Sequence, residues 1–189
     1  MQESNEIYAA VRDVFMRLGF DREHQNTLEW NPLHDFIQEG SRIFIKPNQV
    51  FHEHKDGKAG IWSMVTHASV IRPVIDYVLL ATNGKVEITI GEAPVQGADF
   101  QDVVRKSGLA DLIEFYKENF VNIKLIDLRM IIAQRTENGI VSNKIDNPAR
   151  SKSNYAVVDL GTNSELTAII RYADMLDITD YRKGAVKKH

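Results

Sequence analysis

Hydrophobic residues near the start of the chain recur at helical spacing. Apolar side chains repeat every three or four positions across Glu6–Phe20, which predicts an amphipathic helix, and Gly19 is a residue type at which helices stop. A second, short helix is predicted over Pro32–Gly40, with Asn31 as its N-cap and proline at its first position. The pattern therefore places two helices before any strand.

Apolar runs with strand character follow, and a helical pattern separates the first two. The run Arg42–Lys46 predicts a strand buried on both faces, which Pro47 ends because proline cannot donate to a sheet ladder. Helical spacing returns over residues 68–80, and residues 86–90 form a second apolar run. A strand, a helix and a strand in this order predict a right-handed parallel crossover.

The same alternation continues through the middle of the chain. Asp99 is the predicted cap of a helix that runs to about Lys106, and a further helix is expected over Leu109–Asn119. The stretch VNIKLIDL, residues 121–128, predicts a third strand.

The last third of the sequence predicts a hairpin, one more strand and a tail. The pair Asn138-Gly139 lies between two β-rich arms and is typical of a type I′ turn. The stretch YAVVDLG, residues 155–161, predicts a fourth strand that ends at Asp159. Residues 174–189 show neither period and are expected to form an extended or disordered tail.

Together these elements predict an α/β fold with three layers. Helices are expected on both faces of a largely parallel, Rossmann-like sheet, with the β-hairpin added. The length of 189 residues suffices for one domain with a real core, so we expect a single α/β domain over residues 1–189.

Composition narrows the classes of function. A formal net charge of -3 argues against a nucleic-acid partner, since such domains are usually basic. The acidic first residues and the lack of a long apolar run predict no membrane segment and a cytoplasmic protein. The chain has no cysteine, so it has no cysteine-ligated iron–sulfur cluster; no other cofactor is indicated.

Several strings resemble the amino-terminal half of the family called domain of unknown function 362. They are WNPL, IFIKPNQV, THASVIRPVIDYV, ITIGEAPVQGADF and YAVVDLGTNSEL, in order and spacing across Trp30–Leu166. Family members usually continue into a second half with a Pro-Lys-x-Lys-x-His segment, and some carry a ferredoxin-like insert. The resemblance therefore implies the amino-terminal part of a longer protein, with the missing half or a second copy as the expected partner.

Polar residues follow the first two predicted strands at the point where each strand ends. Lys46 and Asn48 follow the first strand, and Glu92 and Gln96 follow the second. The carboxyl ends of parallel strands meet at one edge of the sheet, where ligands of open α/β folds bind. We therefore expect these side chains to line one ligand-binding crevice. Asp159, at the end of the fourth predicted strand, either joins them or forms an Asx turn.

The start of the helix between these strands adds polar groups to the same crevice. Thr66, His67, Ser69 and Arg72 lie there, and a helix start with hydroxyls, N–H groups and an arginine favours an anion such as phosphate or carboxylate. Glu92 and His67 are the candidates for catalytic acid or base. The remaining residues are candidates for ligand binding.

Each of these residues also has a structural explanation. Lys46 is typical of a solvated strand end, and Arg72 of a surface position. Thr66 or Ser69 is a natural N-cap for the following helix, a role compatible with ligand contact. Glu92 is typical of a carboxylate that satisfies backbone groups in a turn.

His52 and His54 are the candidates for a metal site. Their alternation places both imidazoles on one side of an extended segment, but a metal needs at least one further ligand and a second shell. The segment 51–64 is more typical of a polar loop, so no metal site is predicted.

Two classes of function remain, because the common nucleotide, hydrolase and zincin motifs are absent from the sequence. The first is all or half of an enzyme active site that holds a small anionic ligand. The second is a non-catalytic binding or assembly module that a carboxyl-terminal half completes.

Overall fold

The computed structural model of the protein describes residues 5–136, 141–151, 153, 155 and 156. The chain divides into two compact units, Met1–Asp127 and Leu128–His189. The helices of the first unit are α1 (Glu6–Arg17), α2 (Ala68–Thr82), α3 (Phe100–Lys106) and α4 (Leu109–Glu118), with short 3-10 turns at Arg22–His24 and Gly57–Ser63. Its strands are β1 (Arg42–Ile45), β2 (Glu87–Glu92) and β3 (Asn122–Asp127).

The three strands of the first unit form a parallel sheet in the order β1-β2-β3. Ile45 pairs with Ile90 between the first two strands, and Ile90 pairs with Leu125 between the second and third. Helix α2 connects β1 to β2, so the predicted parallel crossover is confirmed. The carboxyl ends of these strands consequently lie side by side.

Helices α2 and α4 cover one face of this sheet. Because strand side chains alternate between faces, Ile88 and Ile90 point to the same side, and both are fully buried. They pack in one hydrophobic cluster with Ile75 of α2 and with Leu109 and Ile113 of α4. This cluster is the core of the unit.

The opposite face of the sheet is more open at β1. Phe44 is 51% exposed, so the prediction that this strand is buried on both faces is wrong. The phenyl ring lies over Gly91 of β2, where an added Cβ would come within 2.9 Å of Phe44 Cζ and 2.8 Å of Ile126 Cγ1. In the described part of the unit, β1 is an edge strand, and alternate side chains of an edge strand face solvent.

Helix α1 starts as expected and ends earlier than predicted. The Asn5 side chain caps it by accepting hydrogen bonds from the N–H groups of Ile7 and Tyr8. The helix ends at Arg17, and Gly19 adopts a φ of 76°, a left-handed conformation that stops the helix.

The predicted helix over Pro32–Gly40 is wrong, because residues 32–36 form turns. The N–H groups of Phe36 and Ile37 both donate to the Leu33 carbonyl, which closes the turn without extending it. Asn31 does not cap a helix: its own N–H donates to Asp21, and its side-chain oxygen is buried without a hydrogen-bond partner in the described structure.

The second unit contains the predicted hairpin arms. Strands β4 (Ile131–Arg135) and β5 (Val141–Asp146) are antiparallel, with Ile132 opposite Ile145. The predicted turn residues Asn138 and Gly139 lie outside the described residues. So do Asp159, the predicted strand beyond residue 156 and the tail over 174–189.

The architecture is therefore mixed α/β, with a three-strand parallel sheet flanked by helices and a separate antiparallel pair. Among the helices that the structure describes, none has the length and apolar character needed to cross a membrane.

Candidate functional site

A lysine and a glutamate meet at the carboxyl ends of β1 and β2. Lys46 Nζ lies 2.6 Å from Glu92 Oε2, and the Ala93 N–H donates to Glu92 Oε1 at 2.8 Å. Both carboxylate oxygens are therefore occupied. The Glu92 side chain is only 11% exposed, whereas that of Lys46 is 55% exposed. A nearly buried carboxylate thus holds an ammonium group at the surface of the sheet edge.

The local sequence produces this arrangement. Pro47 is buried and follows directly after the strand, so the ladder stops and the lysine leaves the sheet at its carboxyl end. Glu92 is the last residue of β2, the central strand of the sheet, which explains its deeper burial.

Asp127 is a neighbour of this pair that the sequence reasoning missed. It pairs with Glu92 in the register of β2 and β3, so the edge carries Lys46, Glu92 and Asp127 on three successive strands. Asp127 is partly buried. The signal was available, because VNIKLIDL also ends an apolar run on a charged residue.

The chain after Lys46 is tied to the segment that enters α2. The Thr66 N–H donates to the Asn48 carbonyl at 2.7 Å, and the Asn48 N–H donates to Thr66 Oγ1 at 3.1 Å. The neighbouring Gln49 side chain, 1% exposed, donates to the Thr66 carbonyl at 3.0 Å. Its Oε1 is buried and has no hydrogen-bond partner within the described chain. Thr66 therefore fixes the strand exit, while Asn48 remains exposed.

The N-cap of α2 is His67, which corrects the expectation that Thr66 or Ser69 takes this role. His67 Nδ1 accepts the Ser69 N–H at 3.2 Å and lies 2.8 Å from Ser69 Oγ. The Ala68 N–H donates to the Ser107 carbonyl, and the Val70 N–H donates to the His67 carbonyl. The first N–H groups of α2 are therefore already hydrogen-bonded within the protein.

Ser69 and Arg72 line a separate pocket of about 660 Å³, together with Tyr8, Asp111 and Phe115. The Arg72 guanidinium stacks on the Phe115 ring, 4.6 Å from its centroid. Neither Lys46 nor Glu92 lines this pocket. The predicted anion-binding residues therefore lie in two places. Lys46 is at the strand ends, whereas Ser69 and Arg72 are in the pocket formed by residues of α1, α2 and α4.

Four positions after Arg72 in α2, the Asp76 carboxylate accepts hydrogen bonds from two tyrosines. Tyr8 donates to Asp76 Oδ2, and Tyr116 donates to Asp76 Oδ1 at 2.5 Å and to the Arg72 carbonyl at 3.2 Å. Burial, followed by the bond to Asp76, raises the pKa of Tyr8 to about 12, and the same two causes raise the pKa of Tyr116. This cluster joins α1, α2 and α4, and no pattern in the sequence indicates it.

His52 and His54 line a pocket of about 510 Å³. In each ring, Nδ1 already accepts a hydrogen bond from a backbone N–H. His52 Nδ1 accepts the Asp99 N–H, and His54 Nδ1 accepts the Asp56 N–H, each at 3.1 Å. In the described part of the chain, no group of three or more histidine or acidic side chains is arranged to hold a metal ion. Gln96, the remaining predicted ligand residue, is partly exposed in the segment after β2.

The fold and this edge define a parallel α/β protein with charged side chains at the carboxyl ends of its strands. The sequence model of the family described as "Domain of unknown function (DUF362)" matches residues 43–144, more than half of the chain, so the chain belongs to this family. Searches of curated proteins and of solved structures found no match. The matched region contains Lys46, Glu92 and Asp127.

Proposed function

We propose that the protein binds a small phosphate- or carboxylate-bearing ligand at the carboxyl ends of β1 and β2, with Lys46 as its main contact. The observation that carries the proposal is the asymmetric ion pair, in which a nearly buried Glu92 holds a half-exposed ammonium group. This ligand site is all or half of an enzyme active site.

The hydrogen-bond inventory of the pair supports this role. An ammonium group has three N–H donors, and one of the Lys46 donors is directed to Glu92. Within the part of the chain that the structure describes, the other two donors have no hydrogen-bond partner, so they can meet the oxygen atoms of a ligand. Glu92 accepts one hydrogen bond from Lys46 and one from the Ala93 N–H, and it thereby positions the lysine. The ligand therefore meets a cation that is already fixed in place, which reduces the side-chain entropy lost on binding.

Neighbouring residues give the proposed site its shape. Asn48 is exposed two positions after Lys46, and its backbone is fixed by Thr66, so its amide is available to a ligand. Asp127 supplies a carboxylate on the adjacent strand. His67 stays a proposed acid or base through Nε2, because its Nδ1 caps α2.

Other features belong to the proposal at a finer level. These are ligand contacts from Gln96 and Asp159, catalysis by Glu92, a three-layer Rossmann-like arrangement, one domain over residues 1–189 and a cytoplasmic location. Ser69 and Arg72 are proposed to contact a ligand in the separate pocket that they line.

Titration calorimetry with inorganic phosphate, pyrophosphate and citrate tests the proposal. We expect one saturable site whose affinity falls as ionic strength rises, because a half-exposed charge is screened by salt. Absence of saturable heat up to about 5 mM of all three anions would contradict it.

The alternative, a non-catalytic assembly module, predicts a different result. Large apolar side chains are exposed on the described surface, including Leu28, Phe36 and Phe120. Light scattering across a range of protein concentrations would then show self-association, and the same calorimetric titrations would show no anion binding. The two measurements together separate the alternatives.

A further inference from the structure

A second pocket lies beside the segment that follows β1. It measures about 510 Å³, within the range of small-molecule sites, and its walls come from the segment 52–62 and from Lys106 at the end of α3. Its lining includes neither Lys46 nor Glu92, so it is distinct from the proposed strand-end site. The pocket combines an aromatic wall with several hydrogen-bond donors.

Two histidines offer donors to this pocket. Each ring uses Nδ1 to accept a backbone N–H, from Asp99 for His52 and from Asp56 for His54. A neutral imidazole whose Nδ1 is an acceptor carries its proton on Nε2. Each ring therefore has an Nε2–H left to donate, and donors of this kind recognise the oxygen atoms of an anion.

Two lysines make the lining cationic. Lys106 Nζ is held by Asp102 Oδ2 at 2.6 Å and by the His52 carbonyl at 2.9 Å. Lys58 is exposed and makes no ion pair with the described residues. The one carboxylate in the lining belongs to Glu53; its Oε1 lies 3.9 Å from His52 Nε2, beyond hydrogen-bond distance, and its side chain is 69% exposed, so a ligand anion has to displace it from the His52 ring. Among the described residues, Lys58 is therefore the cation of the pocket without an ion pair, and Lys106 is the cation held by Asp102.

The apolar wall consists of Ile61 and Trp62. Ile61 is buried, whereas the Trp62 side chain is half-exposed although it is the largest aromatic residue type. The His67 ring meets Trp62 edge-on, with 4.9 Å between centroids, and this contact restrains the indole. A half-exposed indole beside cations and N–H donors is suited to stack with a flat ring.

From this combination we infer that the pocket binds a small molecule that joins a planar aromatic ring to a phosphate or carboxylate group. The ring stacks on Trp62, and the anionic group accepts hydrogen bonds from Lys58 and from the Nε2–H groups of His52 and His54. Recognition requires both parts of the molecule, because the aromatic wall and the donors belong to the same cavity.

Gly60 offers a way to disturb the pocket without changing its charge. A Cβ added at Gly60 would lie 2.0 Å from His54 Nδ1, so the ring can occupy its position only because residue 60 has no side chain. The Gly60→Ala variant must displace His54 from the lining.

Titration of the full chain with adenosine monophosphate, flavin mononucleotide, adenosine and inorganic phosphate tests the inference. Calorimetry gives the affinity, and tryptophan fluorescence reports contact with Trp62, because Trp30 is buried. We expect at least one of the two nucleotides to bind and quench fluorescence, and adenosine and phosphate to require at least about tenfold higher concentrations to produce the same quenching. Lys58→Met and Trp62→Leu should each weaken the bound nucleotide about tenfold, and Gly60→Ala by at least as much.

Lys117→Met is the matched control, since Lys117 is also an exposed lysine without an ion pair among the described residues. It should leave nucleotide affinity unchanged. The inference is overturned if neither nucleotide quenches Trp62 fluorescence below about 5 mM, if phosphate alone quenches it at concentrations as low as the nucleotides do, or if the Lys58 and Trp62 variants bind nucleotide as the wild type does; calorimetric binding of phosphate without quenching belongs to the strand-end site and leaves the inference standing. Circular dichroism of each variant separates loss of binding from loss of folding.

Discussion

The two ends of the β1–β2 pair carry the same kind of ion pair in different surroundings. At the carboxyl end, Lys46 meets Glu92 at 2.6 Å, and the carboxylate is nearly buried. At the amino end, Lys85 meets Glu39 at 2.8 Å, and the lysine and glutamate side chains are 69% and 45% exposed. Each pair joins a lysine to a glutamate, and each links the chain beside β1 to the chain at β2, so the two pairs can be compared directly.

The difference between the pairs lies in what holds the lysine. Glu39 precedes β1 and shares its carboxylate between Lys85 and the side chain of Asn83, all of them exposed. Such a pair is easily replaced by water and contributes little. Glu92 ends the central strand, so the lysine that it binds has a fixed partner. An ion pair becomes a candidate ligand site when one member is fixed and the other stays accessible.

The largest expected effect is on anion affinity. Lys46→Met keeps most of the apolar stem and removes the charge, so phosphate affinity measured by calorimetry should fall about thirtyfold, equivalent to about 2 kcal/mol. Unfolding free energy should change by no more than about 1 kcal/mol, because the lysine is half-exposed. Lys85→Met is the control and should bind phosphate as the wild type does. Equal losses in the two variants would remove the distinction between the sheet ends.

The cluster around Asp76 lies outside the proposed ligand site. It therefore serves as a comparison, a carboxylate whose expected role is only structural. Asp76 accepts hydrogen bonds from Tyr8 and Tyr116 and thereby joins three helices. Asp76→Ala should lower the free energy of unfolding by about 2 kcal/mol, because the Tyr116 side chain is buried and loses its shortest hydrogen bond. Urea unfolding measures the change. Phosphate affinity at the strand ends should stay constant in this variant, and a parallel loss of affinity would show that the two clusters are not independent.

A smaller effect is expected when the two glutamates are compared. Glu92→Gln should lower the free energy of unfolding by about 1 kcal/mol, since a nearly buried charged hydrogen bond becomes neutral. Glu39→Gln should change it by less than Glu92→Gln does, because exposed ion pairs contribute little. Urea unfolding of both variants at neutral pH gives the comparison. Equal costs would mean that burial does not distinguish the pairs.

The smallest effect concerns acid stability at the amino end. The hydrogen bonds from Lys85 and then from Asn83 lower the pKa of Glu39 below its usual value of 4.5. A carboxylate with a lowered folded-state pKa stabilises the fold above its unfolded-state pKa, and this contribution disappears as the pH falls through the folded-state value. Glu39→Gln should therefore lose less stability than the wild type when the pH is lowered below 4.5. Identical acid-unfolding slopes would contradict this assignment.

The sequence predicted the strand-end pair because its signals are local. An apolar run that ends on Lys46-Pro47, and another that ends on Glu92, identify two strand ends, and the parallel crossover places them together. The same rule applied to residues 121–128 would have found Asp127. The family resemblance, based on strings in the same region, is confirmed by the match over residues 43–144.

Other features depend on contacts between distant segments and could not be predicted. The chain before the turn at Pro32 is held by Asp21, which lies ten positions before Asn31 and accepts the Asn31 N–H. His67 caps α2 although Thr66 and Ser69 are the commoner capping residues, because Thr66 is already bonded to Asn48. The exposure of Phe44 depends on which face the helices cover, and an apolar run does not encode that choice.

Nuclear magnetic resonance of the lysine side chains is the sharpest test of whether Lys46 binds an anion, because it measures Lys46 and Lys85 in one wild-type sample. With the methylene resonances next to Nζ assigned for Lys46 and Lys85, inorganic phosphate is titrated at constant ionic strength. We expect saturable shifts at Lys46 that match the calorimetric affinity, and at most a small, linear drift at Lys85. Equal, unsaturable drifts at both lysines would show that Lys46 is an ordinary surface cation and would contradict the proposed site.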